Sequence, residues 1–212
     1  MSSIALTIHV TTISGSQDRQ TKFLRALLTF EVSIAMHKDE IIKASKKIFN
    51  EFTETCLQIV DNTFFSQPVE KWSIAQNVDH LTRAVKTTKL AYSLPKIFVR
   101  TLFGKPNRPS KSYEELVKKY KMKLAQGGKA SGRYLPATKF TKKLSLLQKW
   151  QKENENYLEA VELKWSDDQL DLYIAPHPLL GKLTLRELCY FTIYHTEHHL
   201  NIIKTRLTEQ IY

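Results

Sequence analysis

A chain of 212 residues is long enough to bury a hydrophobic core and short enough for a single domain. With 42% apolar and 25% charged residues it has an ordinary globular balance, and no apolar run approaches the roughly 18 residues that suggest a membrane span. The net charge of +11 is concentrated: fourteen Lys/Arg and only two acids, Glu114 and Glu115, lie between Lys96 and Lys143, so the rest of the chain is close to neutral.

The opening residues carry neither a basic n-region nor a small-residue cleavage signal, which argues against a secretory peptide. Residues 4–10 suggest a short strand-like arm, 11–15 a turn, and 17–30 a short helix through Phe23, Leu24, Leu27 and Leu28. From about residue 34 to 60 the helical signal strengthens. Ile41, Ser45, Ile48, Phe52, Cys56 and Ile59 recur at three- and four-residue steps with Lys and Glu on the other side. Ser66, Pro68 and Val69 break this run. Ser73 with Gln76 three positions on fits a capping box, and Ile74, Val78, Leu81, Val85 and Tyr92 form the stripe of a second helix that ends near Pro95.

Residues 95–139 read as a long basic connection carrying one short helix, SYEELVKKYKMKLA. A third long helix is predicted over 138–163 through Phe140, Leu144, Leu147, Trp150, Tyr157, Leu158 and Val161. The stretch WSDDQLDLYIAPHPLLGKL is irregular, with an extended piece at 170–174. Thr184 caps a last helix, with Glu187 at its third position, running to about residue 207. Four long amphipathic helices with one long middle connection predict an all-α four-helix bundle over residues 33–212, the crossover at 95–139 lying between the second and third helices. Residues 1–32 are expected to be an N-terminal extension packing on that bundle. Cys56 and Cys189 fall within apolar helical patterns and are expected to pack in the core, in a reducing compartment.

The segment YHTEHHLNI holds three histidines within five positions. On a wheel of about 3.6 residues per turn, His199 faces the core and His195 lies just beside it. His198 falls at the boundary, and Glu197 points away with Arg186, Asn201 and Lys204. Two imidazoles one turn apart can reach one cation, but they can also be satisfied core histidines, and the pair alone leaves both readings open. His80, on the shoulder of the second helix, could supply a third nitrogen. Three imidazoles without a carboxylate suit Zn²⁺, or a borderline ion such as Ni²⁺ or Fe²⁺, and leave a coordination position open. The order HTEHH is not HExxH, so a zincin peptidase is disfavoured.

Three stretches then resemble one family. WSIAQNVDHL (72–81), HPLLGKLTLREL (177–188) and FTIYHTEHHLNII (191–203) are similar to segments of the DinB-like superfamily, the DinB and YfiT type, over about residues 33–207. The resemblance implies an up-down-down-up bundle and metal ligands at His80, His195 and His199. Its members include thiol-cofactor S-transferases, a mycothiol-dependent isomerase and predicted metal hydrolases. The unusually basic crossover departs from that pattern.

The expected function is therefore a divalent-metal-dependent transferase or hydrolase acting on a small molecule, with S-transfer from a low-molecular-weight thiol as one form. A non-catalytic metal- or ligand-binding helical module is the alternative. No catalytic residue is assigned. Gln76, Asn77, Tyr194 and His198 are candidates to orient the imidazoles, and Asp79, on the wet side of the wheel, is a poorer one. The expected partners are a small, anionic substrate recruited by the basic crossover and, in one reading, a second copy of the chain. Nucleic acid, gripped by lysines and stacked on Tyr113, Tyr120 and Tyr134, is disfavoured for want of a recognition motif. No membrane association is expected, and the location is expected to be cytoplasmic.

Overall fold

The computed structural model describes residues 35–140 and 142–209. Its helices are α1 (Lys38–Gln58), α2 (Asp61–Phe65), α3 (Ile74–Ser93), α4 (Lys96–Phe103), α5 (Tyr113–Ala125), α6 (Lys143–Lys164), α7 (Gln169–Leu172) and α8 (Leu185–Glu209). A 3-10 turn spans Gly132–Tyr134, and β1 (Ile174–His177) pairs antiparallel with β2 (Gly181–Thr184). The expected arm, turn, short helix and N-terminal extension lie outside the described residues.

The expectation of a simple four-helix bundle is overturned. Four long helices, α1, α3, α6 and α8, are present, but four shorter ones share their core, and the fold is all-α with eight distinct helices among the described residues. Each short element inserts a fully buried residue: Phe64 from α2, Val99 from α4, Leu116 from α5, Leu170 from α7, and Leu183 from β2. In α2, α4 and α7, one or two helical turns hold too few residues to show a periodic stripe, so tertiary contact and not local pattern specifies them, whereas α5 is the short helix that the sequence predicts. Pro95 is a case in point: it ends α3 and also starts α4, its carbonyl accepting from the N–H groups of Phe98 and Val99. The extended piece expected at 170–174 is instead α7, and the strand begins only at Ile174.

Both capping boxes form as the sequence predicts. Ser73 and Gln76 exchange side chain–backbone bonds of 2.8 and 3.1 Å, and Thr184 and Glu187 do so at 2.9 and 3.2 Å. α3 runs along α6, and α8 packs on both α1 and α3. Aromatic rings fill the space between them: Trp150 of α6 meets Phe49 and Phe52 of α1 with centroids 5.4 and 5.2 Å apart, and Tyr92 of α3 meets Tyr157 of α6 at 5.5 Å. The polar edges of Trp150, Trp165 and Tyr92 are paired, as burial favours. Trp150 Nε1 donates to Thr53 Oγ1, Trp165 Nε1 to the Tyr92 carbonyl, and the Tyr92 hydroxyl to the Leu185 carbonyl. Cys56 and Cys189 are buried and free. No helix among the described residues is long and apolar enough to cross a membrane.

Arg186 is the main departure from the wheel. Placed on the wet side by periodicity, it is only 2% exposed. It donates to both oxygens of Asp171, to Asp167 and to the Met36 carbonyl, fastening the start of α8 to α7 and to the segment before α1. Burial tends to raise the Asp167 carboxyl, but hydrogen bonds from Arg186 and the Lys38 N–H, with the guanidinium charge, outweigh it and hold the group below its usual value. A carboxyl with a depressed folded pKa stabilises the fold above its unfolded value, near 3.9, and the contribution disappears as pH falls through that region. Arg186→Met should therefore cost about 2 kcal/mol at neutral pH. Urea unfolding should show the gap from wild type narrowing below about pH 4; an unchanged gap at acid pH contradicts the ion-pair account.

Candidate metal centre

His80 sits two turns into α3, downstream of the Ser73–Gln76 cap, while His195 and His199 occupy consecutive turns of α8. All three are 5–6% exposed. Their Nε2 atoms converge: His195 Nε2 lies 3.1 Å from His80 Nε2 and 3.2 Å from His199 Nε2. The three donors lie within 4.8 Å of one another. The structure thus brings together the three histidines that the sequence singled out.

The outer nitrogens determine what the inner ones carry. His80 Nδ1 lies 2.7 Å from the Tyr134 carbonyl, which can only accept, so this nitrogen bears the proton. His199 Nδ1 lies 2.6 Å from Asn77 Oδ1. The Asn77 amide cannot be reversed without loss, because its Nδ2 donates to the Ser73 carbonyl at 2.8 Å. His199 Nδ1 is therefore also protonated. In their neutral forms both rings then turn a bare Nε2 lone pair inward. A proton on His195 Nε2 could serve only one of these two acceptors well. The site is thus richer in lone pairs than in protons, the condition in which a cation is the fitting occupant. A tetrahedral ion with Zn–N bonds of about 2.0–2.1 Å would space its donors by roughly 3.4 Å, close to the two separations from His195 Nε2.

Protonation does not supply that cation. Burial is the largest effect on all three rings and lowers their affinity for a proton. The Tyr134 carbonyl and Asp79 partly offset it at His80, whereas neighbouring imidazoles add to it at His195 and His199.

Several orienting residues differ from expectation. Gln76 is consumed by the helix cap. Asn77 orients an imidazole, but that of His199 on another helix rather than that of His80 on its own. Asp79, placed in solvent by the wheel, is 3% exposed. Its Oδ2 accepts from Arg83 Nε at 2.7 Å and from the Ala137 N–H at 2.9 Å, pinning the segment that carries the Tyr134 carbonyl. No pattern in the sequence marks a backbone carbonyl 54 residues from His80 as its partner. Trp72, also missed, closes one side, with its ring 4.8 Å from His80 and parallel to His199 at 6.3 Å. His198 is half-buried beside Tyr120 and Tyr194 and is not part of the cluster. Glu197 accepts from the Tyr113 hydroxyl, away from the three nitrogens.

The cluster opens onto a cavity of about 700 Å³. α3, α8 and the hairpin form part of its wall, and the crossover supplies the remainder through Phe103, Tyr120, Leu124, Lys129, Arg133 and Tyr134. Part of the crossover's positive charge is spent internally: Lys119 donates to the Leu180 carbonyl, and Arg108 grips the fully buried Glu187 with bonds of 2.6 and 2.9 Å, while Lys143 at the start of α6 donates to the Ile59 carbonyl. Tyr120 is 6% exposed and Tyr113 packs on Tyr190, so neither is splayed outward to stack on bases.

The chain belongs to the DinB superfamily, whose family model matches residues 45–203, from within α1 to within α8. No curated protein and no solved structure matches it.

A histidine whose folded pKa is depressed takes up protons more readily in the unfolded chain, so stability falls as pH drops below the unfolded value of about 6.5. Chelator-treated protein should therefore lose unfolding free energy between about pH 7 and pH 5, and His199→Phe should show a shallower loss. Stability that is flat or rises across that interval would contradict burial of neutral imidazoles.

Proposed function

We propose that this DinB-superfamily chain is a divalent-metal-dependent enzyme acting on a small molecule, with His80, His195 and His199 as protein ligands of one zinc, nickel or iron ion. The observation that carries this reading is the convergence of oriented Nε2 lone pairs on the wall of a cavity large enough for a substrate. A cation held by three imidazoles supplies Lewis acidity toward a carbonyl and increases the acidity of a water or thiol.

The protein's own contributions follow from its side chains. The Tyr134 carbonyl and Asn77 fix two ring orientations, and Asp79 fixes the segment bearing that carbonyl. Leu90, Leu94, Phe103, Leu124 and Phe191 make the lining largely apolar, which excludes water and strengthens electrostatic contacts within it. Lys129 and Arg133 on the same wall favour an anionic ligand. Among the described residues no Asp or Glu lines the cavity, so the lining offers no carboxylate to take a proton from water. This supports transfer by a co-substrate bringing its own nucleophile, such as a low-molecular-weight thiol, over hydrolysis. The same lining suits a non-catalytic metal- or ligand-binding module, and turnover separates the two.

Purified, tag-free protein should carry one divalent ion per chain. His195→Ala should lose it while remaining helical by circular dichroism, and Asn77→Ala should weaken metal affinity about 10- to 100-fold. In a screen of thiol-transfer and ester-hydrolysis substrates, activity should track metal content across these variants. Full metal loading without turnover anywhere in the screen favours the binding module; no metal uptake removes the metal-dependent enzyme and the metal-binding form of the module.

A further inference from the structure

His177 ends β1, ahead of Pro178, and its ring lies beside the cavity without joining the three-histidine cluster. Its Nδ1 accepts hydrogen bonds from two backbone groups, the N–H of Leu179 at 3.2 Å and the N–H of Leu180 at 3.1 Å. A nitrogen that accepts cannot also carry a hydrogen, so the imidazole is neutral and its hydrogen resides on Nε2. This is the reverse of the arrangement at His80 and His199, whose outer nitrogens donate. Among the described residues, His177 Nε2 has no hydrogen-bond partner.

The ring is held firmly. Gly181, at a φ of +78°, closes the hairpin turn that supplies the two N–H groups. Phe191 packs against the ring at 4.2 Å, and Phe191 in turn stacks on His195 at 4.8 Å, so His177 faces the cavity about one ring away from the cluster. Burial, with the nearby Lys119 ammonium, pushes its pKa down to about 4, which keeps the ring neutral at physiological pH.

We propose that His177 is a ligand-binding residue, its fixed Nε2–H donating to a carbonyl or carboxylate oxygen of an apolar small molecule held between it and the His80–His195–His199 cluster. The geometry of two acceptor bonds on one nitrogen leaves the other nitrogen as a donor, and the cavity is where a partner for it can stand. Lys129 and Arg133 on the lining favour a carboxylate, and the surrounding leucines and phenylalanines favour an apolar body. This assignment rests on reading the cavity as the ligand site.

The probe is 4-phenylbutyrate, titrated by calorimetry into the full chain with and without one equivalent of zinc, with zinc content measured on the same samples. His177→Asn places an amide oxygen where Nδ1 accepts, preserving the turn, but has no donor at the Nε2 position. His177→Gln keeps a donor there. The expected result is saturable binding to wild type, a loss of about 10-fold or more in His177→Asn, and affinity within a few-fold of wild type in His177→Gln. Zinc content should be unchanged in both variants. Independently, ¹⁵N-histidine spectra should show His177 as the Nε2–H tautomer, its proton shifting when the probe is added. An Nδ1–H tautomer, equal binding by wild type and His177→Asn, or no binding to wild type overturns the proposal. Failure of zinc to bind, with the His177 results intact, counts against the metal reading alone.

Discussion

The centre depends on one constraint: two buried imidazoles are compelled to turn unprotonated nitrogens toward each other and toward a third. The compulsion comes from acceptors that cannot donate, the Tyr134 carbonyl on one side and an Asn77 oxygen held by the Ser73 carbonyl on the other. Burial disfavours the protonated rings that would otherwise relieve the clash of lone pairs. A polar cluster this far from water is costly unless something satisfies it, and the donor set matches what a borderline divalent ion requires. Metal competence is thus written in the hydrogen bonds outside the cluster as much as in the histidines themselves.

The crossover is what turns a ligand set into a site. It contributes the carbonyl that orients His80, it is pinned to α3 by Asp79, and its residues form one wall of the cavity. Its cations have two uses. Arg108 and Lys119 end on Glu187 and on the Leu180 carbonyl and fasten the segment to α8 and the hairpin, whereas Lys129 and Arg133 line the cavity. A basic stretch that looks like a free electrostatic surface in sequence is, in part, a set of structural fasteners. At the start of α8, Arg186 does comparable work between α7, α8 and the residues before α1.

How far the sequence reveals this varies with the range of each interaction. Long amphipathic helices, both capping boxes and the converging faces of α3 and α8 follow from periodicity, because each is encoded within a few turns. Family membership follows from motifs around His80, His177 and His195. Among the short helices α5 follows from its own sequence, but α2, α4 and α7 do not, since α4 and α7 are held by single buried residues such as Val99 and Leu170. The wheel misplaces Asp79 and Arg186 because it assumes that charge means solvent; both find partners from distant segments that periodicity cannot see. Tyr134 enters through its backbone, which a side-chain pattern never marks. His177 is visible in sequence only as a histidine between prolines, and its role emerges from the two N–H groups of its own turn.

The central claim is that the three inward nitrogens share one ion. Crystals grown with zinc and measured on both sides of the zinc absorption edge test it most directly. One anomalous peak about 2.0–2.1 Å from Nε2 of His80, His195 and His199 is the predicted result. A map with no peak there under saturating zinc, or with the peak bound elsewhere on the chain, would contradict it.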